Sequence, residues 1–182
     1  MTSSVSVGMD VKVPDDLRLR AMQPADLPAV QAIYAVEVRQ GTASFELEPP
    51  DVAAIAARWA KVKACGLPWL VVDTEHGVGG YAYATPYRER PAYAATVEDS
   101  VYVAPWARGR GLGRMLLAEV IAAAGSAGMR QMVAVIGDSA NLGSIRLHRR
   151  CGFVHVGTLR HVGRKFDRWL DTVLMQRELV AR

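Results

Sequence analysis

Val101-Tyr102-Val103-Ala104-Pro105-Trp106-Ala107-Arg108-Gly109-Arg110-Gly111-Leu112-Gly113-Arg114 is the stretch that decides how this chain folds. Residues 97–103 form an extended run whose alternation puts Glu98, Ser100 and Tyr102 on one side. Val97, Asp99, Val101 and Val103 fall on the other. A Pro/Gly/Arg loop follows and opens a helix expected over about residues 113–124, closed at Gly128. The first turn of a helix exposes backbone N–H groups that have no partner within the helix. Small residues at Gly109, Gly111 and Gly113 let an anion reach those donors without meeting side chains. Arg108, Arg110 and Arg114 add positive charge, which suits the pyrophosphate of a nucleotide-containing ligand. The same composition would also make a tight exposed turn that binds nothing. It lacks the Lys-Ser/Thr of a Walker A loop and is not a typical dinucleotide fingerprint.

Outward from this loop, both flanks supply strands and helices. Upstream, Leu17-Arg18-Leu19-Arg20 alternates as a first strand, and Leu27, Val30, Ile33 and Tyr34 share one helical face. A polar segment, 41–50, precedes a second amphipathic helix marked by Val52, Ile55 and Trp59. Residues 68–73 and 78–84 then read as a hairpin around Glu75-His76-Gly77. Downstream, 132–136 is an apolar strand, Asn141 caps a short helix carrying Ile145, Leu147 and His148, and Gly152 stops it. Residues 153–159 and 172–179 supply two final strands. The pattern predicts one mixed α/β (α+β) domain over 15–182, after a loose leader at 1–14, with helices flanking a single curved sheet.

Bulk properties narrow the partners. An excess of 22 Lys and Arg over 18 Asp and Glu is too mild for a general duplex-binding surface. It suits a small anionic partner, although arginines also simply solubilise a surface. Cys65 and Cys151 form no disulfide framework or metal-type spacing, so no metal site is expected and a reducing, cytoplasmic setting is. No apolar run approaches the roughly 20 residues needed to cross a bilayer.

The chain resembles the GCN5-related N-acetyltransferase superfamily, whose Gln/Arg-x-x-Gly-x-Gly/Ala motif is met by Arg108 through Gly113. Within it, the phosphinothricin and methionine sulfoximine acetyltransferases are the more similar subgroup. The resemblance rests on Thr42-Ala43-Ser44-Phe45-Glu46, Pro86-Tyr87-Arg88-Glu89-Arg90-Pro91-Ala92-Tyr93 and Thr96-Val97-Glu98-Asp99-Ser100-Val101-Tyr102-Val103. Val133-Ala134-Val135-Ile136-Gly137-Asp138-Ser139-Ala140-Asn141, Ser144-Ile145-Arg146-Leu147-His148 and Gly163-Arg164-Lys165-Phe166-Asp167-Arg168-Trp169-Leu170-Asp171 complete it.

That resemblance implies an acyl-CoA N-acyltransferase fold: one strongly bent mixed sheet whose fourth and fifth strands splay to admit acetyl-CoA as cosubstrate. The diphosphate would lie on Arg108, Gly109, Arg110, Gly111, Leu112, Gly113 and Arg114. Val101, Tyr102 and Val103 would flank the pantetheine arm, with Asn141 and Ser144 at the next strand–helix junction. Glu98 and His148 are the candidate proton-handling residues; Glu98, His148 or a water chain could remove the proton. Read from the strand alone, Glu98 is equally a solvent-facing carboxylate, and His148 equally a packing residue beside Phe153. Arg88 or Arg90 could grip a substrate carboxylate bidentately, with Phe45, Tyr87, Tyr93 and Tyr102 as pocket walls. The implied reaction is acetylation of a small amino-acid-like amine by a homodimer. A polyamine, an aminoglycoside, a protein N-terminus, or a non-catalytic CoA-binding module remain alternatives.

Overall fold

Thr96–Val103 forms strand β4, and the order of its neighbours sets the architecture. Before it come β1 (Arg18–Ala21), α1 (Leu27–Gln40), α2 (Val52–Ala64), β2 (Trp69–Thr74) and β3 (Gly77–Pro86). After it come α3 (Leu112–Ser126), β5 (Gln131–Gly137), α4 (Leu142–Arg150), β6 (Val154–Lys165) and β7 (Arg168–Glu178). The computed structural model describes residues 17–179, so the leader expected at 1–14 lies outside the described residues. The strands make one sheet in the order β1-β2-β3-β4-β5-β7-β6. Every neighbouring pair is antiparallel except β4–β5, which is parallel.

That parallel pair is short. It runs from Thr96↔Gln131 to Asp99↔Ala134 and stops. β4 continues to Val103 against β3, while β5 continues to Gly137 against β7. Beyond Asp99 and Ala134 the two strands part, and each keeps an edge whose backbone groups have no ladder across the gap.

Helices cover both faces of this bent sheet. Tyr102 meets Tyr34 of α1 edge-on at 5.1 Å between ring centroids. Its neighbours in the pleat, Val101 and Val103, point the other way, toward α3 and α4. Leu112, Leu116, Leu117 and Val120 give α3 a fully buried stripe at helical spacing. Each such side chain contributes about 1.5–3 kcal/mol by leaving water. The Asp51 carboxylate starts α2 by accepting from the Ala54 N–H at 2.7 Å. Leu147 of α4 packs over Gly113 at the head of α3, so the two helices meet beside the splay. Arg20 clips β1 in place through Asp26 (2.7 and 2.8 Å) and Asp73 (2.6 and 2.9 Å). Among the described residues, no helix is long and apolar enough to cross a membrane.

The last two strands differ from their sequence pattern. They form a hairpin that starts β7 at Arg168 and carries β6 to Lys165, well past the expected 153–159. Register shifts at His155/Gly157 and Leu159/Gly163 break the period-2 alternation that would have marked the strand. Phe166 and Asp167 reverse the chain at φ 51° and 56° without a glycine. Val154, Val156, Leu159, Val162 and Trp169 stand exposed on this hairpin.

Candidate active site

The gap between β4 and β5 opens into a cleft of about 1280 Å³. Val101, Tyr102 and Val103 line it from β4, and Arg108, Gly109, Gly111, Leu112, Gly113 and Arg114 from the loop and the head of α3. Asn141 and Ser144 line it from α4, and Glu98, His148 and Phe45 also reach it. Arg110 is the one residue of the loop motif that does not. Tyr87, Arg88, Arg90 and Tyr93 lie apart, on the β3–β4 connection. Arg88 and Arg90 border a second cavity of about 480 Å³. The Arg88 guanidinium sits 4.1 Å over the Tyr87 ring, which meets Tyr93 edge-on at 5.7 Å.

The loop has the form its glycines require. Gly109 and Gly111 adopt φ 79° and 82°, a region that costs a side-chain-bearing residue, and the space a Cβ would enter is open at both. Gly111 is the N-cap of α3, and no side chain caps the helix. The first amides of α3 therefore face the cleft as donors, with the positive end of the helix dipole behind them. Arg108 crosses to Glu37 of α1 and touches the Val103 carbonyl at 3.4 Å. Beside this cradle runs the unladdered edge of β4. A diphosphate on an amide-bearing arm fits both: anion donors at one end, strand-like backbone partners along the other. Asn141 caps α4, its Oδ1 accepting from the Ser144 N–H at 3.2 Å while its amide donates to the Gly137 carbonyl at 3.0 Å.

Glu98 and His148 sit in different environments. Glu98 is half-buried, on the face of β4 that looks toward α1 and α2. Burial pushes its carboxyl above the usual carboxylate range; the nearby Arg88 charge opposes this and Asp99 adds to it. His148 is buried, and both ring nitrogens have partners. Nε2 lies 2.9 Å from Asp99 Oδ2, and Nδ1 lies 2.8 Å from the Ser144 carbonyl. Phe153 closes the ring off edge-on at 5.1 Å.

The acetyltransferase (GNAT) family model matches residues 30–153. The chain belongs to the acetyltransferase (GNAT) family. It is 55% identical over 163 residues to a phosphinothricin N-acetyltransferase of Alcaligenes faecalis, covering 90% of this chain and 83% of that one. It is 44% identical over 157 residues to an L-methionine sulfoximine/L-methionine sulfone acetyltransferase of Pseudomonas aeruginosa, covering 85% and 90%. Its fold superposes with TM-score 0.87 on a GNAT-superfamily phosphinothricin acetyltransferase of Sinorhizobium meliloti solved with acetyl-CoA, at 43% identity and covering 91% and 89%.

For a GNAT-family cleft, several lining residues had not been singled out by sequence pattern. Asp99, Glu37, Arg58, Tyr83, Arg146 and Arg150 all border it. Arg146 and Arg150 are four apart on α4, a helical spacing that could have flagged them once one residue of that face was placed. The rest depend on tertiary contact. Phe45 is held by such contacts: its ring fills the space that a Cβ would need at Gly137 and at Gly163. The strap carrying it is tied at Ser44 by Tyr34 Oη (2.8 Å) and by Lys165 Nζ, which donates to the Ser44 carbonyl at 2.7 Å. Glu46 accepts from Tyr34 (2.9 Å) and from both ends of the Arg58 fork (2.7 and 3.2 Å). Burial pushes the Tyr34 hydroxyl up to about 12, so it stays a neutral donor.

Proposed function

We propose that this chain is an acetyl-CoA-dependent N-acetyltransferase acting on the α-amino group of a small amino-acid analogue of the phosphinothricin or methionine sulfoximine kind. The observation that carries it is Glu98: a half-buried carboxylate lining the same cleft as the anion-binding head of α3. Bound acetyl-CoA supplies the activated acetyl group; the chain's own residues bind, orient and move the proton. The amides of Gly109, Gly111, Leu112 and Gly113, with Arg108 and Arg114, hold the diphosphate, and Arg110 adds positive charge from outside the cleft lining. The free edge of β4 at Val101, Tyr102 and Val103, with Asn141 and Ser144, holds the arm. Glu98 takes the proton from the acceptor ammonium, directly or through water, and its raised pKa suits it to that work near neutral pH. His148 handles charge on the opposite side of β4.

Arg88, which stands on the β3–β4 connection outside the lining of the cleft, pairs with the acceptor carboxylate where its charge reaches Glu98. One amino acid can then present its carboxylate to Arg88 and its amine to Glu98. Arg90 lines the second cavity with Arg88, Tyr87 lies under the Arg88 guanidinium with Tyr93 against its ring, and Phe45 and Tyr102 wall the acceptor side. The enzymatic unit is the single domain 15–182. The exposed apolar side chains of the β6–β7 hairpin support a homodimer through that face. The two free cysteines suit a cytoplasmic setting.

The test is purified protein with acetyl-CoA and a panel of amines: phosphinothricin, methionine sulfoximine, methionine sulfone, a polyamine, an aminoglycoside and an alanine-initiated peptide. Free thiol and product mass are followed together. One thiol released per N-acetyl product, fastest with the amino-acid analogues, is the expected result. Release with the polyamine, aminoglycoside or peptide alone overturns the substrate class. No amine-dependent release with any acceptor overturns the enzymatic reading.

A further inference from the structure

Asp99 is the last residue of β4 that pairs with β5, and His148 meets it there from α4. We propose that Asp99 is a positioning residue that holds His148 as an imidazolium in the wall of the cleft, so that His148 enters acetyl transfer as a fixed cation and not as the base. This rests on the acetyl-transfer reading above.

The hydrogen bonds count the protons. A backbone carbonyl can only accept, so the contact of Nδ1 with the Ser144 carbonyl at 2.8 Å requires a proton on Nδ1. With Asp99 as a carboxylate, which only accepts, the 2.9 Å contact places a second proton on Nε2. A ring that donates from both nitrogens is an imidazolium and has no lone pair left to take a proton from an amine.

Stability does not account for the arrangement. The two side chains are 3% and 1% exposed, and a buried ion pair roughly breaks even against apolar packing of the same volume. Asp99 moreover leaves its Oδ1 buried with no partner among the described residues, a cost that a purely structural pair would be expected to avoid. Its location explains the cost better. The pair ties α4 to the sheet where the strands separate, and both residues line the cleft. A cation fixed there favours the negative charge that builds on the acyl oxygen and sulfur during transfer.

The surrounding groups agree. Burial alone would push the His148 pKa down, and the bond to Asp99, its charge and the Ser144 carbonyl outweigh that and raise it. Glu98 neighbours Asp99 on the opposite face of β4. Cys151 follows the last turn of α4, with the charges of Arg114 from α3 and Arg177 from β7 acting on it. Arg177 donates to the Cys151 carbonyl and so is spent on the helix end. Asp99 is the carboxyl group bonded to the ring.

The experiment is a histidine ¹⁵N and ¹³C NMR titration of the whole protein, with the His148 signals assigned by their loss in His148→Gln. In the wild type both ring nitrogens should show the protonated signature at neutral pH. Asp99→Asn keeps an acceptor for Nε2–H and removes the charge, so the His148 pKa should fall below the ordinary 6.5. The alkaline limb of the rate profile should move down by about one unit or more. Coenzyme A affinity by calorimetry should stay within about twofold, which a general loosening of the fold would not leave intact. A neutral His148 ring in the wild type at neutral pH overturns the proposal, and that reading needs no variant to fold. So does an unchanged His148 titration in folded Asp99→Asn. The titration needs no turnover: an imidazolium in a protein that acetylates no amine would sink the enzymatic reading and leave the charge assignment standing.

Discussion

Glu98 and Asp99 are adjacent carboxylates on one strand, and the pleat of β4 sends them to opposite faces. Asp99 faces α4, is buried, and spends one oxygen on His148. Glu98 faces the aromatic side under α1 and α2, half-buried at the cleft, with its proton affinity raised by burial. A group already engaged in a charged pair is a fixture, whereas one desolvated and unpaired can exchange a proton during turnover. Two like groups one residue apart can therefore divide positioning from proton transfer.

The largest effect that would break this contrast comes from the unpaired side. Glu98→Gln is expected to lower kcat by about 10²- to 10⁴-fold while leaving coenzyme A binding in place, checked by steady-state rates beside calorimetry. Equal losses in turnover and binding would mean that Glu98 shapes the site and does not serve as its base. The paired side should fail differently. His148→Ala strands the buried Asp99 charge and should cost about 3–5 kcal/mol in urea unfolding. Glu98→Gln should cost less than about 1 kcal/mol. Next in size, Arg88→Ala should raise KM for the amino-acid acceptor about tenfold, by loss of a charged hydrogen bond, with KM for acetyl-CoA little changed. The smallest effect is a shift in pH. Arg88 holds the Glu98 pKa down against burial, so its removal should move the acid limb of the rate profile to higher pH.

Local rules made the loop side of the cleft legible. Gly109 and Gly111 advertise positive φ, and the run from Val103 into Met115 advertises strand, turn and helix, so the cradle could be placed from spacing. Asn141 was legible as a cap for the same reason. The opposite side was not. Whether Arg58 or Arg88 reaches the cleft depends on how α2 and the β3–β4 connection pack, and no periodicity records that. Asp99 was assigned to its correct face by alternation, yet its partner is 49 residues away and only the fold joins them. The β6–β7 hairpin was underestimated because its bulges interrupt the pattern that sequence inspection counts.

The most direct measurement is kcat/KM against pH for the wild type and Glu98→Gln with a phosphinothricin-type acceptor. Since burial raises the Glu98 pKa, the base is ionised only above that value, and activity should be lost as pH falls through it. The expected result is an acid limb above the ordinary glutamate range, about 4.3, that disappears with the carboxylate in Glu98→Gln. An acid limb that persists unchanged in Glu98→Gln would overturn the assignment of Glu98 as the base.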